Sequence, residues 1–80
     1  MAMTHRARVI EDIIAERERQ LTKWGDQSHD NAWWAVIEGE EFGEVCRAIF
    51  DGDTENLYTE LIQVAAVAVA WAEDYLRRGQ

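Results

Sequence analysis

Leu61-Ile62-Gln63-Val64-Ala65-Ala66-Val67-Ala68-Val69-Ala70-Trp71-Ala72 is the stretch on which the fold of this chain turns. Thr54, or Asp53 before it, is a suitable cap, and Arg77-Arg78 suits the negative end of a helix dipole, so a helix is predicted from there to about Leu76. It is apolar nearly all round, and a helix of that kind is buried on most sides. A membrane is not what buries it, because the nearly apolar run Val64 to Ala72 is far short of the ~20 residues that span a bilayer. Nor can three helices of one chain surround it completely, which predicts a second subunit and a homodimer or homotetramer of helical hairpins.

Outward from this segment, Asp51-Gly52-Asp53 marks a turn, with Gly52 suited to the left-handed conformation that ends helices. Before it, Trp33, Trp34, Ile37, Val45, Ile49 and Phe50 recur at helical spacing and predict a second helix from an Asn31 cap to Phe50. Gly39 and Gly43 lie inside that helix, each costing about 1 kcal/mol relative to alanine, and serve close helix packing or close approach of a ligand. Adjacent Trp33 and Trp34 must point in different directions, one into the core and the other towards an interface or a base pocket. The polar run Gly25 to Asn31 ends a first helix that spans about Thr4 to Trp24, with Thr4 as its cap. The expected fold is therefore all-α: one domain over residues 1–80, an antiparallel helical hairpin with three main helices, completing a four-helix-bundle-like core by oligomerisation.

Eighty residues lie near the size at which one core struggles to outweigh chain entropy. The single cysteine, Cys46, cannot form an intramolecular disulfide, and two scattered histidines match no structural zinc spacing. Cys46 has no neighbouring base and reads as a packed structural residue. A formal charge of −8 argues against a nucleic-acid polymer as partner, since no basic surface is available to displace counterions. With no export signal and a free thiol, a cytoplasmic setting is expected, in a bacterium or a phage-infected host.

The acidic residues carry the chemistry. Glu41 and Glu44 are three apart on the second helix, and Glu60 and Gln63 are three apart on the third. Glu44 stands seven residues before the turn and Glu60 seven after it, so antiparallel packing would bring the pairs opposite one another. Carboxylates facing an apolar interior need a partner, and a hard divalent cation such as Mg²⁺ supplies one. The alternative is a solvated acidic face, which suits Glu38, Glu40 and Glu55 better than Glu60, whose neighbours Leu57, Leu61 and Val64 are core-like.

Glu40-Glu41-Phe42-Gly43-Glu44, followed by Glu60-Leu61-Ile62-Gln63, resembles the signature of the MazG-like nucleoside triphosphate pyrophosphohydrolases of the all-α NTP pyrophosphatase superfamily. Their pattern is Glu-Glu-x-x-Glu, then Glu-x-x-Asp. Glu16 to Gln20, Lys23 to His29 and the segment up to Trp71 are similar to small members of this type from phages and actinobacteria, so the likeness covers most of the chain. The resemblance implies Mg²⁺-dependent (or Mn²⁺-dependent) cleavage of a nucleotide substrate to monophosphate and pyrophosphate. It implies Glu41, Glu44 and Glu60 as metal ligands, with Gln63 at the fourth ligand position, and Glu40 as an outer group or the base that orients water. Gln63 departs from the family's aspartate: its carbonyl can coordinate, but it brings no charge.

By the same resemblance Trp24 stacks on a base and His29 bonds a phosphate, against the alternatives that Trp24 closes the core and His29 is a solvated loop residue. Lys23 is placed to reach a phosphate. The Glu16-Arg17-Glu18-Arg19 alternation reads as a solvated helix face. Two rivals to catalysis stand beside these expectations: a nucleotide-sequestering protein on the same scaffold, and a structural module that binds another protein through its tryptophan-rich surface.

Overall fold

The computed structural model describes residues 2–79 and consists of three helices, α1 (His5–Trp24), α2 (Asn31–Phe50) and α3 (Thr54–Arg77). Each opens on a side-chain cap. Thr4 Oγ1 accepts from the Ala7 amide at 3.0 Å, Asp30 Oδ1 from Trp33 at 2.8 Å and Asp53 Oδ1 from Asn56 at 3.3 Å. The cap of α2 is therefore Asp30 and not Asn31, which is already helical. The charged Asp30 carboxylate takes the orphan amide, and the Asn31 side chain is left to accept from the Trp71 indole and from Arg78, each at 3.1 Å. Glycines with positive φ end the first two helices, Gly25 at 70° and Gly52 at 71°.

The central element is α3, with α1 and α2 packed on it and no backbone contact between those two. Across the short turn at 51–53, α2 and α3 form the expected antiparallel hairpin: Trp71, late in α3, meets Asn31 at the start of α2. The first helix, α1, runs alongside α3 in the same direction, with Tyr58 bonded to Asp12 near the start and Arg77 reaching Asp26 beyond the end of α1. This leaves a groove between α1 and α2, floored by α3.

The core is small. Trp34, Val45, Ala48, Ile62, Ala66, Val67 and Ala70 are its buried apolar residues. Trp34 is inside and Trp33 outside, as adjacent positions on one helix require. Contrary to the packed role expected of it, Cys46 is exposed, because the outer side of α2 has nothing laid against it within the chain. The apolar stripe of α3 is likewise covered on one side only. Ala66, Val67 and Ala70 are buried, whereas Leu61, Ala68, Val69, Ala72 and Leu76 are exposed. Among the described residues no helix is long and apolar enough to cross a membrane.

Candidate functional site

A cleft of about 370 Å³ occupies the groove between α1 and α2. Its α1 side carries Arg17, Arg19, Gln20, Lys23 and Trp24, and Glu41 of α2 and Gln63 of α3 face it. Trp34, Ile37, Val67 and Ala70 add apolar surface, and Gly25 and Gln27 of the loop after α1 complete the lining. A volume of this order is enough for a small ligand, and the mixture of an apolar bed with a few polar groups is what ligand sites generally use.

Among the expected carboxylates, Glu41 of α2 lies near enough to Glu60 of α3 and to Glu44 and Glu40 to feel their charge. Burial pushes the Glu41 carboxyl above its ordinary value, and the negative charges of Glu60, Glu44, Glu40 and Glu16 push it the same way. None of Glu41, Glu44 and Glu60 has an ion-pair partner among the described residues. An all-oxygen donor set with unneutralised charge fits Mg²⁺ in kind. It is not a preformed shell, since no three His, Cys, Asp or Glu groups among the described residues converge tightly enough to hold an ion. Glu41 and Glu60 are half-buried, whereas Glu40 and Glu44 are exposed. Glu38 is not the solvated residue expected: it is half-buried with one carboxyl oxygen lacking a partner, and burial, then Glu41, raises its pKa.

Of the other expected site residues, Lys23 and Trp24 line the cleft together, with the Lys23 ammonium 4.8 Å from the Trp24 ring centre. Trp24 is 59% exposed and so does not close the core. His29 is not among the residues that line the cleft. Its amide donates to Asp74 at 3.1 Å and its ring meets Trp34 edge-on at 4.9 Å.

Two features were not read from the sequence. The first is the Glu/Arg run at 16–19, which is only partly a solvated face. Arg17 falls in line with Ile13 and Gln20 on the side of α1 that meets α3, and is buried there with Nε 2.6 Å from Glu73. Glu16 is held low by its bonds from Arg19, at 2.8 and 2.6 Å, and further by the nearby Gln63 and Gln20 amides. Helical spacing from Ile13 could have flagged Arg17, although a charged residue argued the other way.

The second is Asp74, the most deeply enclosed side chain of its size. Its Oδ2 accepts from the Trp34 indole at 2.8 Å and from the His29 amide, with Arg78 Nε at 3.3 Å and Arg77 at 3.4 Å from its carboxylate. The Trp34 bond, with those of His29 and Ser28 and the Arg78 charge, outweighs burial and holds Asp74 down to about 2. Arg77 also grips the Gln27 carbonyl at 3.1 Å, so the end of α3 fixes both the cleft's Trp34 and the loop beside it.

No family model matches the chain, and neither do any curated proteins or solved structures.

Proposed function

We propose that this chain is a MazG-like, Mg²⁺-dependent nucleotide pyrophosphohydrolase that cleaves a nucleoside triphosphate or related nucleotide to the monophosphate and pyrophosphate. One observation carries the proposal: a single cleft joins Glu41 and Gln63, beside Glu60 and Glu44, to the cations Arg19 and Lys23 and the exposed ring of Trp24. Acids that suit a metal, cations that suit phosphates and a ring that suits a base are then within one ligand's length. Of the motif residues that resemble the family, Glu41 and Gln63 line this cleft.

In this reaction Trp24 stacks on the base and Lys23 steadies the phosphates, which holds the scissile bond against the acidic side. Glu41, Glu44 and Glu60, with the Gln63 carbonyl, would hold the Mg²⁺ (or Mn²⁺). The bound ion neutralises phosphate charge and makes water more acidic. Glu40 orients the attacking water and takes its proton as the water oxygen bonds to the α phosphorus, and pyrophosphate leaves with the bridging oxygen.

The working form in this proposal is a homodimer or homotetramer. The chain exposes 5913 Å² for a mass of 9.3 kDa, where a compact monomer of that mass exposes roughly 5,000 Å². The excess is close to the ~800 Å² that each partner contributes to a standard interface. The uncovered apolar side of α3, around Leu61, Ala68 and Ala72, is the surface that a second copy would cover.

Incubation of the purified protein with a panel of ribo- and deoxyribonucleoside triphosphates and Mg²⁺ tests the activity. Release of pyrophosphate from at least one is expected, and its loss in Glu41→Gln, Glu44→Gln and Glu60→Gln with the fold intact. Pyrophosphate from none of them sinks the proposal. Gln63 favours a second reading, a nucleotide-sequestering protein, because an uncharged amide lines the cleft where a fourth acid would strengthen metal binding. Nucleotide binding without product, and turnover created by Gln63→Asp, would select that reading.

A further inference from the structure

We infer that Arg17 anchors an oxyanion site in the α1 wall of the cleft, in which the open Nη edge of this buried guanidinium receives the pyrophosphate group of a ligand. Arg17 is only 8% exposed, and its single hydrogen bond, Nε to Glu73, is short at 2.6 Å. That bond fixes the plane of the guanidinium. The other near carboxylate, Asp26, makes a long ion pair with Nη2 at 4.0 Å, too far for a hydrogen bond. Among the described residues the Nη nitrogens therefore donate to nothing, yet neither is a sealed, unpartnered atom: both keep contact with solvent, and Arg17 lines the cleft.

A purely structural tie between α1 and α3 does not account for this arrangement. Such a tie is served by Nε and the long Asp26 pair, whereas a buried guanidinium with no hydrogen bond on its fork is costly to desolvate and geometrically suited to two oxygens of one phosphate. Charge on the same wall points the same way. In a chain of net charge −8, the cleft is lined by Arg17, Arg19 and Lys23 with Glu41 as its one carboxylate. Arg19 is engaged by Glu16 through two bonds, whereas among the described residues the Arg17 fork and the Lys23 ammonium make no hydrogen bond and can donate to an incoming anion. Six residues separate them along α1, or about 9 Å of helix rise, a span that a polyphosphate can bridge.

The test is calorimetric titration of the full-length protein with inorganic pyrophosphate, and with inorganic phosphate for comparison, in buffer with EDTA and no Mg²⁺. The wild type should bind pyrophosphate more tightly than phosphate. Arg17→Lys, which keeps the charge and can still pair with Glu73, should weaken pyrophosphate binding by about tenfold, the loss of one charge-assisted hydrogen bond. Nitrogen-15 spectra of the wild-type arginine side chains supply a measurement that needs no variant: the Arg17 signals should shift during the titration. No pyrophosphate binding by the wild type, unchanged affinity in a folded Arg17→Lys, or unmoved Arg17 signals would each overturn the inference. It extends the proposed hydrolysis without depending on it. Arg17-dependent binding with no turnover removes only the enzyme, and turnover with an unaffected Arg17→Lys removes only this site.

Discussion

Glu41 and Asp74 lie at opposite ends of the molecule's acidic chemistry, and environment alone separates them. Glu41 is half-buried among other acids with no cation, so its ionised form is disfavoured; Asp74 is enclosed by donors, so its ionised form is favoured. A raised carboxyl costs folding stability above its folded pKa, and the cost disappears as pH falls below the ordinary value of 4.5. Glu41→Gln should therefore raise the melting temperature at neutral pH in EDTA and leave it unchanged in acid. Scanning calorimetry with added Mg²⁺ should then show an increase for the wild type that the variant lacks. Asp74 behaves in the reverse sense. Its depressed pKa contributes stability that is complete above 3.8 and is lost as pH falls through about 2, so Asp74→Asn should flatten the acid limb of a stability profile between those values. Trp34→Phe, which removes the 2.8 Å donor to Asp74 and some apolar area, should cost about 1–3 kcal/mol by urea denaturation. Spacing pointed to the Glu41 group because residues at matched distances from a turn lie at the same height on the two helices of an antiparallel hairpin. It was silent on Asp74, because partners 40 and 45 residues away have no local signature.

Among the elements, α2 shows how much of its sequence is addressed to something outside the chain. Gly39 and Gly43 sit in mid-helix, and a β-carbon built on either meets no atom within 4 Å, so no contact within the chain demands them. In the isolated chain their cost is one of backbone entropy, and Gly39→Ala and Gly43→Ala should each stabilise α2 by about 1 kcal/mol in chemical denaturation. A loss of stability instead would mean that another helix approaches that face. For α1, sequence periodicity located the helix and its Thr4 cap to the residue, yet it treated the charges at 16–19 as outward-facing. The reason is geometric: the helix turns one position in every 3.6 towards α3, and Arg17 is carried inwards regardless of its charge.

Taken whole, the chain is broader than its length requires. Its radius of gyration is 13.8 Å, against about 12 Å for a compact domain of 80 residues. The apolar side of α3 is where the missing contacts would be made. Ala72→Arg should shift sedimentation towards the monomer and lower the melting temperature, because a guanidinium on that face would be left unpaired against a second copy. Sedimentation unchanged by the substitution would place the second copy elsewhere.

The amino-acid order by itself determined three helices, their turns, the identity of the inward tryptophan's helix and the pairing of the second helix with the third. Each of these depends on interactions within a few residues or on hydrophobic periodicity, which a linear chain displays directly. Only the tertiary structure decided that α1 lies along α3 away from α2, opening the cleft, that Arg17 is buried in its wall and that Asp74 clasps Trp34 and the 25–30 loop. Those outcomes follow from which charged groups find partners at long range. A buried charge is tolerated only where such a partner arrives, and sequence spacing carries no record of that meeting.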